Sequence, residues 1–354
     1  MCESLEDYLL KRRKEHQLVY LFAELTDKCN LSCRHCGSNC SMVNSTWINA
    51  DLLISTLQKV SLDFKRGSVM LCITGGEPLL HPEFDRIVVS AHKLGFPWGM
   101  TSNGTLIDRQ CAERLKSLHM GSISISIDGL EESHDWLRNQ IGSFQKAVDA
   151  VKALHESGFE VQVTSVFHRK NIFELESMYQ LMKSLHVESW RVINMEPIGR
   201  ALDYPDLLLQ KDDYIRLLNF IRDLRNSPDN YMDVTYGCSH LLPDEYERKV
   251  RGYSFKCGSG IISASILCNG EIFPCLDIER RPEFIQGNIE KDDFIDVWNN
   301  GFRICRQDRS LLNEKCSACK DRIICFGDSA HTWDYDRNQP RICLRYLLLG
   351  REGS

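Results

Sequence analysis

Short apolar runs alternate with longer amphipathic segments from residue 18 to about residue 226. The apolar runs predict strands over 18–25, 69–74, 96–101, 122–127, 160–167 and 190–195. The segments between them carry apolar residues at spacings of three and four, which predicts helices over 50–64, 82–94, 108–118, 143–157, 172–185 and 211–225. Strict alternation of strands and helices implies a parallel sheet with right-handed crossovers. Six such units suit an α/β fold of the incomplete (β/α)6 barrel type.

Polar residues of unusual kinds follow the predicted strands, at the point where each strand ends. In α/β barrels, reactive groups collect at the carboxyl ends of the strands. In chain order these residues are the cysteines at 29, 33 and 36, then Gly75 to Pro78, Ser102 to Gly104, Asp128 with Gly129, His168, and Glu196 to Arg200. The sequence therefore predicts a functional site at this edge of the sheet.

The character of the chain changes after about residue 230, where helical periodicity fades and cysteines become dense. Such a segment, with few long apolar runs, needs a metal to fold stably. We therefore divide the chain into an N-terminal extension (1–17), a barrel (18–230) and a small cysteine-rich domain (231–354).

Composition narrows the possible environments of the chain. Its net charge of −6 gives no electrostatic reason to expect nucleic acid or an anionic membrane as a partner. The charged N-terminus has no apolar signal core, and no later run is long enough to span a bilayer. We expect a cytoplasmic protein. In that compartment the sixteen cysteines favour metal binding over disulfides.

Three cysteines, Cys29, Cys33 and Cys36, form the motif CxxxCxxC directly after the first predicted strand. Three thiolates hold three irons of a [4Fe–4S] cube and leave the fourth iron able to bind and reduce a molecule. A closed structural zinc site requires four ligands, which argues against zinc here. The motif in this position resembles the radical S-adenosylmethionine (SAM) superfamily, whose fold is also a partial (β/α)6 barrel.

The resemblance implies a set of SAM-binding residues. The GGEP motif of the superfamily, whose backbone contacts the methionine amino group, matches Gly75, Gly76, Glu77 and Pro78. Glu77 either bonds that amino group or braces its loop, and we favour bracing. The resemblance to the superfamily also implies that His35 lies beside the adenine and that Asn103 contacts SAM. Similarity to anaerobic sulfatase-maturating enzymes adds Ser126 and Arg138 as SAM-binding residues. A guanidinium suits the SAM carboxylate. The alternatives are a surface His35, a solvated helical Arg138 and an ordinary turn at Asn103.

The C-terminal cysteines resemble the SPASM extension, which holds two auxiliary [4Fe–4S] clusters in many radical SAM peptide maturases. The matching pattern is Cys257-x12-Gly270-x4-Cys275, then Cys316-x2-Cys319-x5-Cys325, then Cys343. The resemblance implies that the second cluster takes Cys316, Cys319, Cys325 and Cys343, although zinc is the alternative for these ligands. The first takes Cys257 and Cys275, but Ser329 stands where the family has a further cysteine. Cys238 or Cys268 is a candidate replacement; otherwise the first cluster is open, smaller or absent.

The resemblance implies an enzyme that reductively cleaves SAM to a 5′-deoxyadenosyl radical, which abstracts a hydrogen atom from its substrate. We favour a peptide or protein substrate, modified by a cross-link such as a thioether, by epimerisation or by oxidation. Asp277 is a candidate proton acceptor and Cys238 a candidate hydrogen-atom donor. The second hypothesis is an oxidoreductase acting on a small molecule, such as a tetrapyrrole, a sugar or a redox-cofactor precursor. The third is a non-catalytic zinc or iron–sulfur binding module.

Two protein partners follow from this interpretation. Reductive cleavage requires an external electron donor, of the flavodoxin or ferredoxin type. Only 17 residues precede the first predicted strand, so we expect a reader of a substrate leader to be a separate protein or the cysteine-rich domain itself. An enclosed, strongly charged pocket favours a small molecule, whereas a long open groove favours a peptide.

Overall fold

The chain folds into alternating strands and helices, as its hydrophobic pattern predicts. A computed structural model describes residues 11, 14–43, 45–238, 240–253 and 257–350. Most of the predicted extension (1–17) lies outside the described residues. The first strands are β1 (Tyr20–Glu24), β2 (Met70–Thr74), β3 (Trp98–Ser102), β4 (Ser122–Ser126), β5 (Val161–Phe167), β6 (Ser189–Asn194) and β7 (Asp233–Tyr236). The first helices are α1 (Ala50–Asp63), α2 (Phe84–Leu94), α3 (Arg109–Ser117), α4 (Glu131–Arg138), α5 (Ser143–Glu156), α6 (Leu175–Ser184) and α7 (Lys211–Asn226).

The strands β1 to β7 are parallel and lie side by side in chain order, which confirms the predicted partial barrel. Two elements were not predicted, the strand β7 and the short helix α4. The core lies between the sheet and its helices, because each helix buries one apolar stripe. In α1, for example, Leu53, Leu57 and Val60 are fully buried.

The cysteine-rich segment continues the same sheet. Its strand β8 (Ser263–Ile266) pairs in parallel with β1, and β9 (Glu271–Phe273) and β10 (Gly287–Asn288) follow in antiparallel pairing. Strands that follow the predicted boundary at residue 230 therefore extend the barrel sheet on both sides. Strand β7 pairs with β6, and β8 pairs with β1. The domain limits themselves stay a prediction.

Short helices and loops complete the C-terminal part. They are α8 (Phe294–Asn300), α9 (Arg303–Arg306), α10 (Glu314–Ser317), α11 (Arg322–Cys325) and α12 (Leu344–Leu348), with a small hairpin of β11 (Trp333–Asp334) and β12 (Gln339–Pro340). Helix α8 packs against α1 of the barrel. Within the described part of the chain, no helix has the length and apolar content needed to cross a membrane.

Candidate functional site

The three cysteines of CxxxCxxC lie on the loop that follows β1, here called the cluster loop (residues 26–41). Cys29 and Cys33 are buried, Cys36 is partly buried, and all three pack in one small cluster with Leu31 and Cys40. Burial raises the pKa of the Cys29 thiol to about 12. The neighbouring Cys40 thiol, which hydrogen-bonds Cys36, lowers the pKa of Cys36 to about 5. Thiolates are the form that binds iron, and the lowered pKa makes Cys36 the cysteine of the three that ionises most readily.

The glycines after β2 lie directly against the backbone of the cluster loop. The amide of Gly76 donates to the Thr26 carbonyl at 2.6 Å. A Cβ on Gly75 would lie 2.4 Å from the Thr26 carbonyl oxygen, and one on Gly76 would lie 2.2 Å from that of Lys28. Gly75 also has a φ of +151°, which L side chains rarely adopt. Glycine is thus required at both positions by the close approach of two loops.

Glu77 is fully buried and links the loops after β2 and β3. Its carboxylate accepts hydrogen bonds from the Ser102 hydroxyl at 3.0 Å and the Asn103 amide at 2.9 Å. Burial raises the pKa of Glu77 to about 7. The Asn103 side chain in turn donates to the Asn30 side-chain oxygen at 2.9 Å, and lies 3.8 Å from the Cys29 sulfur. These contacts match a bracing function for Glu77.

Arg138 is a buried residue beside the cluster loop. It ends α4, and its Nε donates to the Asp128 carboxylate at 2.6 Å, while one terminal nitrogen lies 3.7 Å from the Cys33 sulfur. Asp128 is itself fully buried and accepts from the Val166 amide. Burial would lower the pKa of Arg138, but Asp128 and then Cys33 raise it. The structure thus places a fixed cation next to the cluster cysteines rather than on a solvated helix face.

Two buried imidazoles face the same carboxylate. His35 Nε2 lies 3.8 Å from Asp128, and burial lowers the pKa of His35 to about 3. His168 accepts from the Lys170 amide through Nδ1, and burial lowers its pKa to about 4. Both rings are therefore neutral near pH 7, and His35 Nδ1 and His168 Nε2 have no hydrogen-bond partner.

Two cations contact the Trp136 ring at the edge of this region. The three residues Arg34, Trp136 and Lys170 are here called the cationic rim. The Arg34 guanidinium carbon lies 4.7 Å from the centre of the Trp136 ring, and Lys170 Nζ lies 4.1 Å from it. Arg34 is on the cluster loop, Trp136 on α4 and Lys170 on the loop after β5. Three separate strand ends thus contribute to one positively charged rim.

One cavity of about 170 Å³ joins the predicted site residues. Its walls include the three cluster cysteines and the predicted SAM-binding positions His35, Gly75, Gly76, Asn103, Ser126 and Arg138. Glu77 and Pro78, the other two residues of the GGEP motif, do not line the cavity. The cavity thus combines thiols for a cluster with backbone amides, neutral imidazole and guanidinium for an amino-acid group.

Arg200, which sequence analysis placed at a strand end without a specific function, binds the backbone of the cluster loop. Its Nε donates to the Cys33 carbonyl at 2.7 Å, and a terminal nitrogen donates to the Cys40 carbonyl at 3.0 Å. The preceding Gly199 has a φ of +56°, and a Cβ there would lie 2.4 Å from the Cys36 carbonyl oxygen. The sequence position of Arg200 already indicated a function at the site, because Gly199 and Arg200 follow a predicted strand end.

The four cysteines predicted to hold the second auxiliary cluster also lie near one another. Cys343 interacts electrostatically with Cys316 and Cys319, and Cys325 with Cys343. The Tyr346 hydroxyl lies 3.4 Å from the Cys319 sulfur, and the Asp328 amide donates to the Cys325 sulfur at 3.1 Å. Hydrogen bonds to cysteine sulfur are typical of iron–sulfur sites. Among the described residues, no three His, Cys, Asp or Glu side chains are arranged to hold a single metal ion.

The remaining candidates lie away from the cavity wall. The Cys238 sulfur accepts from the Asn194 amide at 3.2 Å within the barrel core. Cys268 interacts with Glu24 at the end of β1, and neither cysteine packs with Cys257 and Cys275. Asp277 is exposed, with its carboxylate 3.9 Å from the Cys275 sulfur.

Comparison with known proteins agrees with this geometry. Residues 23–182 match the Radical SAM superfamily, and residues 257–320 match SPASM, an iron-sulfur cluster-binding domain. An AdoMet-dependent heme synthase of Methanosarcina barkeri is 26% identical, over 90% of this chain and 94% of its own. The subtilosin biosynthesis protein AlbA of Bacillus subtilis is 28% identical, over 78% of this chain and 58% of its own. The crystal structure of anSMEcpe with bound AdoMet and a peptide has a TM-score of 0.72 at 20% identity, covering 94% and 93% of the two chains.

The fold and the cavity thus define an enzyme of the SAM-dependent radical class. More particularly, the chain is similar to the Radical SAM superfamily over residues 23–182 and to SPASM over residues 257–320, as the sequence motifs predict. Its cofactors are SAM and [4Fe–4S] clusters. The residues fit these groups, because three thiols, a close-approaching glycine backbone and a buried guanidinium line one cavity.

Proposed function

We propose that this enzyme is a radical SAM oxidoreductase that acts on a tetrapyrrole bearing carboxylate groups. Electrons come from a flavodoxin- or ferredoxin-type donor. The observation that carries the substrate class is the cationic rim beside the cluster loop. Coverage of nearly the whole length of a heme synthase supports the same choice. This order reverses the preference drawn from the sequence, in which a peptide came first.

Different residues around the cavity bind different parts of the SAM molecule. When bound, the cluster and SAM supply a 5′-deoxyadenosyl radical that removes a hydrogen atom from the substrate. Arg138 holds the SAM carboxylate, the backbone at Gly75 and Gly76 holds its amino group, and His35 lies beside the adenine. Asp128 keeps the Arg138 guanidinium in place, and Arg200 fixes the cluster loop.

The cationic rim suits propionate groups. Trp136 contacts both Arg34 and Lys170 through cation–π interactions, and within the described part of the chain neither cation forms an ion pair with a carboxylate. Arg34 is the residue between Cys33 and His35, so a substrate carboxylate bound to Arg34 would be held by the loop that carries the cluster cysteines. In a chain with a net charge of −6, a local positive rim selects anionic substrates.

The test is binding of iron coproporphyrin III to the anaerobically reconstituted enzyme, followed by absorbance, with 5′-deoxyadenosine release as a second readout. We expect Lys170→Ala to weaken binding about fivefold and Trp136→Ala to weaken it further. The tetramethyl ester of the same porphyrin lacks the negative charges and should bind both forms equally. Lys183→Ala is the matched control, because Lys183 lies 5.4 Å from Tyr179 on the outer helix α6. Equal binding of acid and ester would refute the proposed substrate class.

A peptide substrate is the second candidate, and a specific observation favours it. Met42, Val43 and Trp47 are exposed on the segment that follows the cluster loop. Apolar side chains in such a position suit an extended chain laid across the mouth. Substrate-dependent release of 5′-deoxyadenosine with a precursor peptide, and none with the porphyrin, would support this candidate over the first.

A further inference from the structure

A second group of thiols is enclosed in the C-terminal part, here called the three-thiol pocket (Cys257, Cys275, Cys305). Cys305, on α9, has no place in the SPASM pattern. It is buried with 1% exposure, and it belongs to the same apolar cluster that Cys257 and Cys275 pack against. This cluster is separate from the cavity at the barrel mouth and from the set ending in Cys343.

The three thiols lie in one small region, because Cys257 and Cys275 pack against the apolar cluster that contains Cys305. Cys275 interacts electrostatically with Cys257. Cys257 and Cys305 both act on the same two side chains, Arg309 and Tyr335. A Cβ on Gly260 would lie 2.8 Å from the Cβ of Cys305, so the turn that begins at Cys257 lies directly on Cys305. The fold thus brings a cysteine from α9 to the turn that carries the first SPASM cysteine.

Two buried donors point to an anionic group in this pocket. Arg309 is 1% exposed and its Nε has no hydrogen-bond partner, nor has the Tyr335 hydroxyl. A terminal nitrogen of the Arg309 guanidinium donates to the Asp328 carbonyl at 2.6 Å. A buried guanidinium is costly unless it is paired with negative charge. Thiolates bound to an iron–sulfur cluster would supply that charge, and Arg309 and Tyr335 would be the donors available to it.

We propose that Cys257, Cys275 and Cys305 hold the first auxiliary [4Fe–4S] cluster, with Cys305 supplying the thiolate that position 329 lacks. Ser329 is fully buried, and the amide of the next residue, Ala330, donates to the Cys257 sulfur at 3.4 Å. A cluster held by these three thiols would have one iron without a cysteine ligand, because position 329 supplies a serine. This assignment does not depend on the substrate class proposed above.

The first test is the iron and sulfide content of the anaerobically reconstituted protein, with Mössbauer spectra. Wild type should contain about twelve irons, and Cys305→Ala about eight. Cys72→Ala, which removes a partly buried thiol from β2, is the matched control and should leave about twelve. About eight irons in wild type, or about twelve in Cys305→Ala, would overturn the proposal. A wild-type count of about eight overturns the proposal whether or not the variant folds.

The second test addresses the open iron. In the Cys29/Cys33/Cys36→Ala background, which lacks the SAM-binding cluster, we expect added cyanide to alter one of the two reduced cluster signals in electron paramagnetic resonance spectra. Ser329→Cys in that background should keep the iron content and abolish the response. Two signals that both ignore cyanide before the serine is replaced would contradict an open fourth iron.

Discussion

At the residue scale, the clearest case is His240, which joins the barrel to the cysteine-rich part. Its Nε2 lies 2.7 Å from the Glu196 carboxylate after β6, and its Nδ1 lies 3.1 Å from Asp328. Burial alone would lower the pKa of His240, but the two carboxylates raise it to about 10. The imidazole is therefore a buried cation near pH 7, held between two anions from different parts of the chain.

We expect His240→Ala to lower the free energy of unfolding at pH 7 by about 3–5 kcal/mol, because it leaves two buried carboxylates unpaired. Since the pKa is raised from 6.5, the stabilisation is fully present below pH 6.5 and is lost as the pH rises through 10. Anaerobic urea unfolding at pH 6.5 and pH 9.5 measures both effects.

The matched control for this prediction is His155→Ala. Its imidazole pairs with Glu188 at 3.1 Å, but the carboxylate side chain is 42% exposed. The cost there should stay below about 1 kcal/mol. Equal costs for the two variants would show that the His240 bridge is not stabilising.

The residues that sequence could identify are those whose chemistry is local. CxxxCxxC and GGEP are contiguous, so residue type and spacing were enough. Asp128 was predicted only by its position at a strand end, because its function depends on Arg138, ten positions later, and on Val166, which the sheet brings close. The cationic rim depends on three loops and has no contiguous signature.

At the scale of elements, the packing of the GGEP loop on the cluster loop is the tightest contact of the site. We expect Gly76→Ala to push these loops apart, because the added Cβ meets the Lys28 carbonyl oxygen at 2.2 Å and the Cys29 Cβ at 2.9 Å. The free energy of unfolding should fall by about 1–3 kcal/mol, and SAM affinity about tenfold. Equilibrium dialysis with SAM and urea unfolding measure the two quantities.

Gly121→Ala is the control, since a Cβ there meets only the Trp98 carbonyl oxygen, at an ordinary 3.4 Å. It should leave SAM affinity unchanged. Wild-type SAM affinity in Gly76→Ala would show that the two loops do not need their close approach for binding.

Element prediction succeeded where the hydrophobic pattern was long. The six predicted helices have observed counterparts whose ends differ by only a few residues. Helix α4 has eight residues, too few to establish a period, and was not predicted. The strands β8, β9 and β10 have four, three and two residues. Their assignment depends on pairing partners that are distant in sequence, which a local pattern does not contain.

At the scale of the whole molecule, an ion pair fastens the cysteine-rich part to the cluster loop side of the barrel. Arg280 donates to the buried carboxylate of Glu24, at the end of β1, at 2.5 Å. Burial raises the pKa of Glu24, and Arg280 acts against that rise. Without Arg280 the pKa of Glu24 rises further. The ionised Glu24 carboxylate then lowers the free energy of unfolding more as the pH rises above 4.5.

We expect Arg280→Ala to lower the free energy of unfolding by about 1–3 kcal/mol at pH 8 and by less at pH 5. Lys59→Ala is the control, because Lys59 and Asp293 also join the two parts, at 2.8 Å, but through exposed side chains. That variant should cost less than about 1 kcal/mol at either pH. A pH-independent cost for Arg280→Ala would mean that Glu24 is not ionised in the fold.

The pairing of β8 with β1 has a consequence for any attempt to separate the two parts. A fragment ending near residue 230 would leave β1, with Leu21 and Ala23 on its buried face, as an uncovered edge strand. Exposed apolar edges of this kind pair with other chains. A fragment limited to the radical-generating part should therefore self-associate in solution, and adding residues 257–290 back as a separate peptide should restore the monomer.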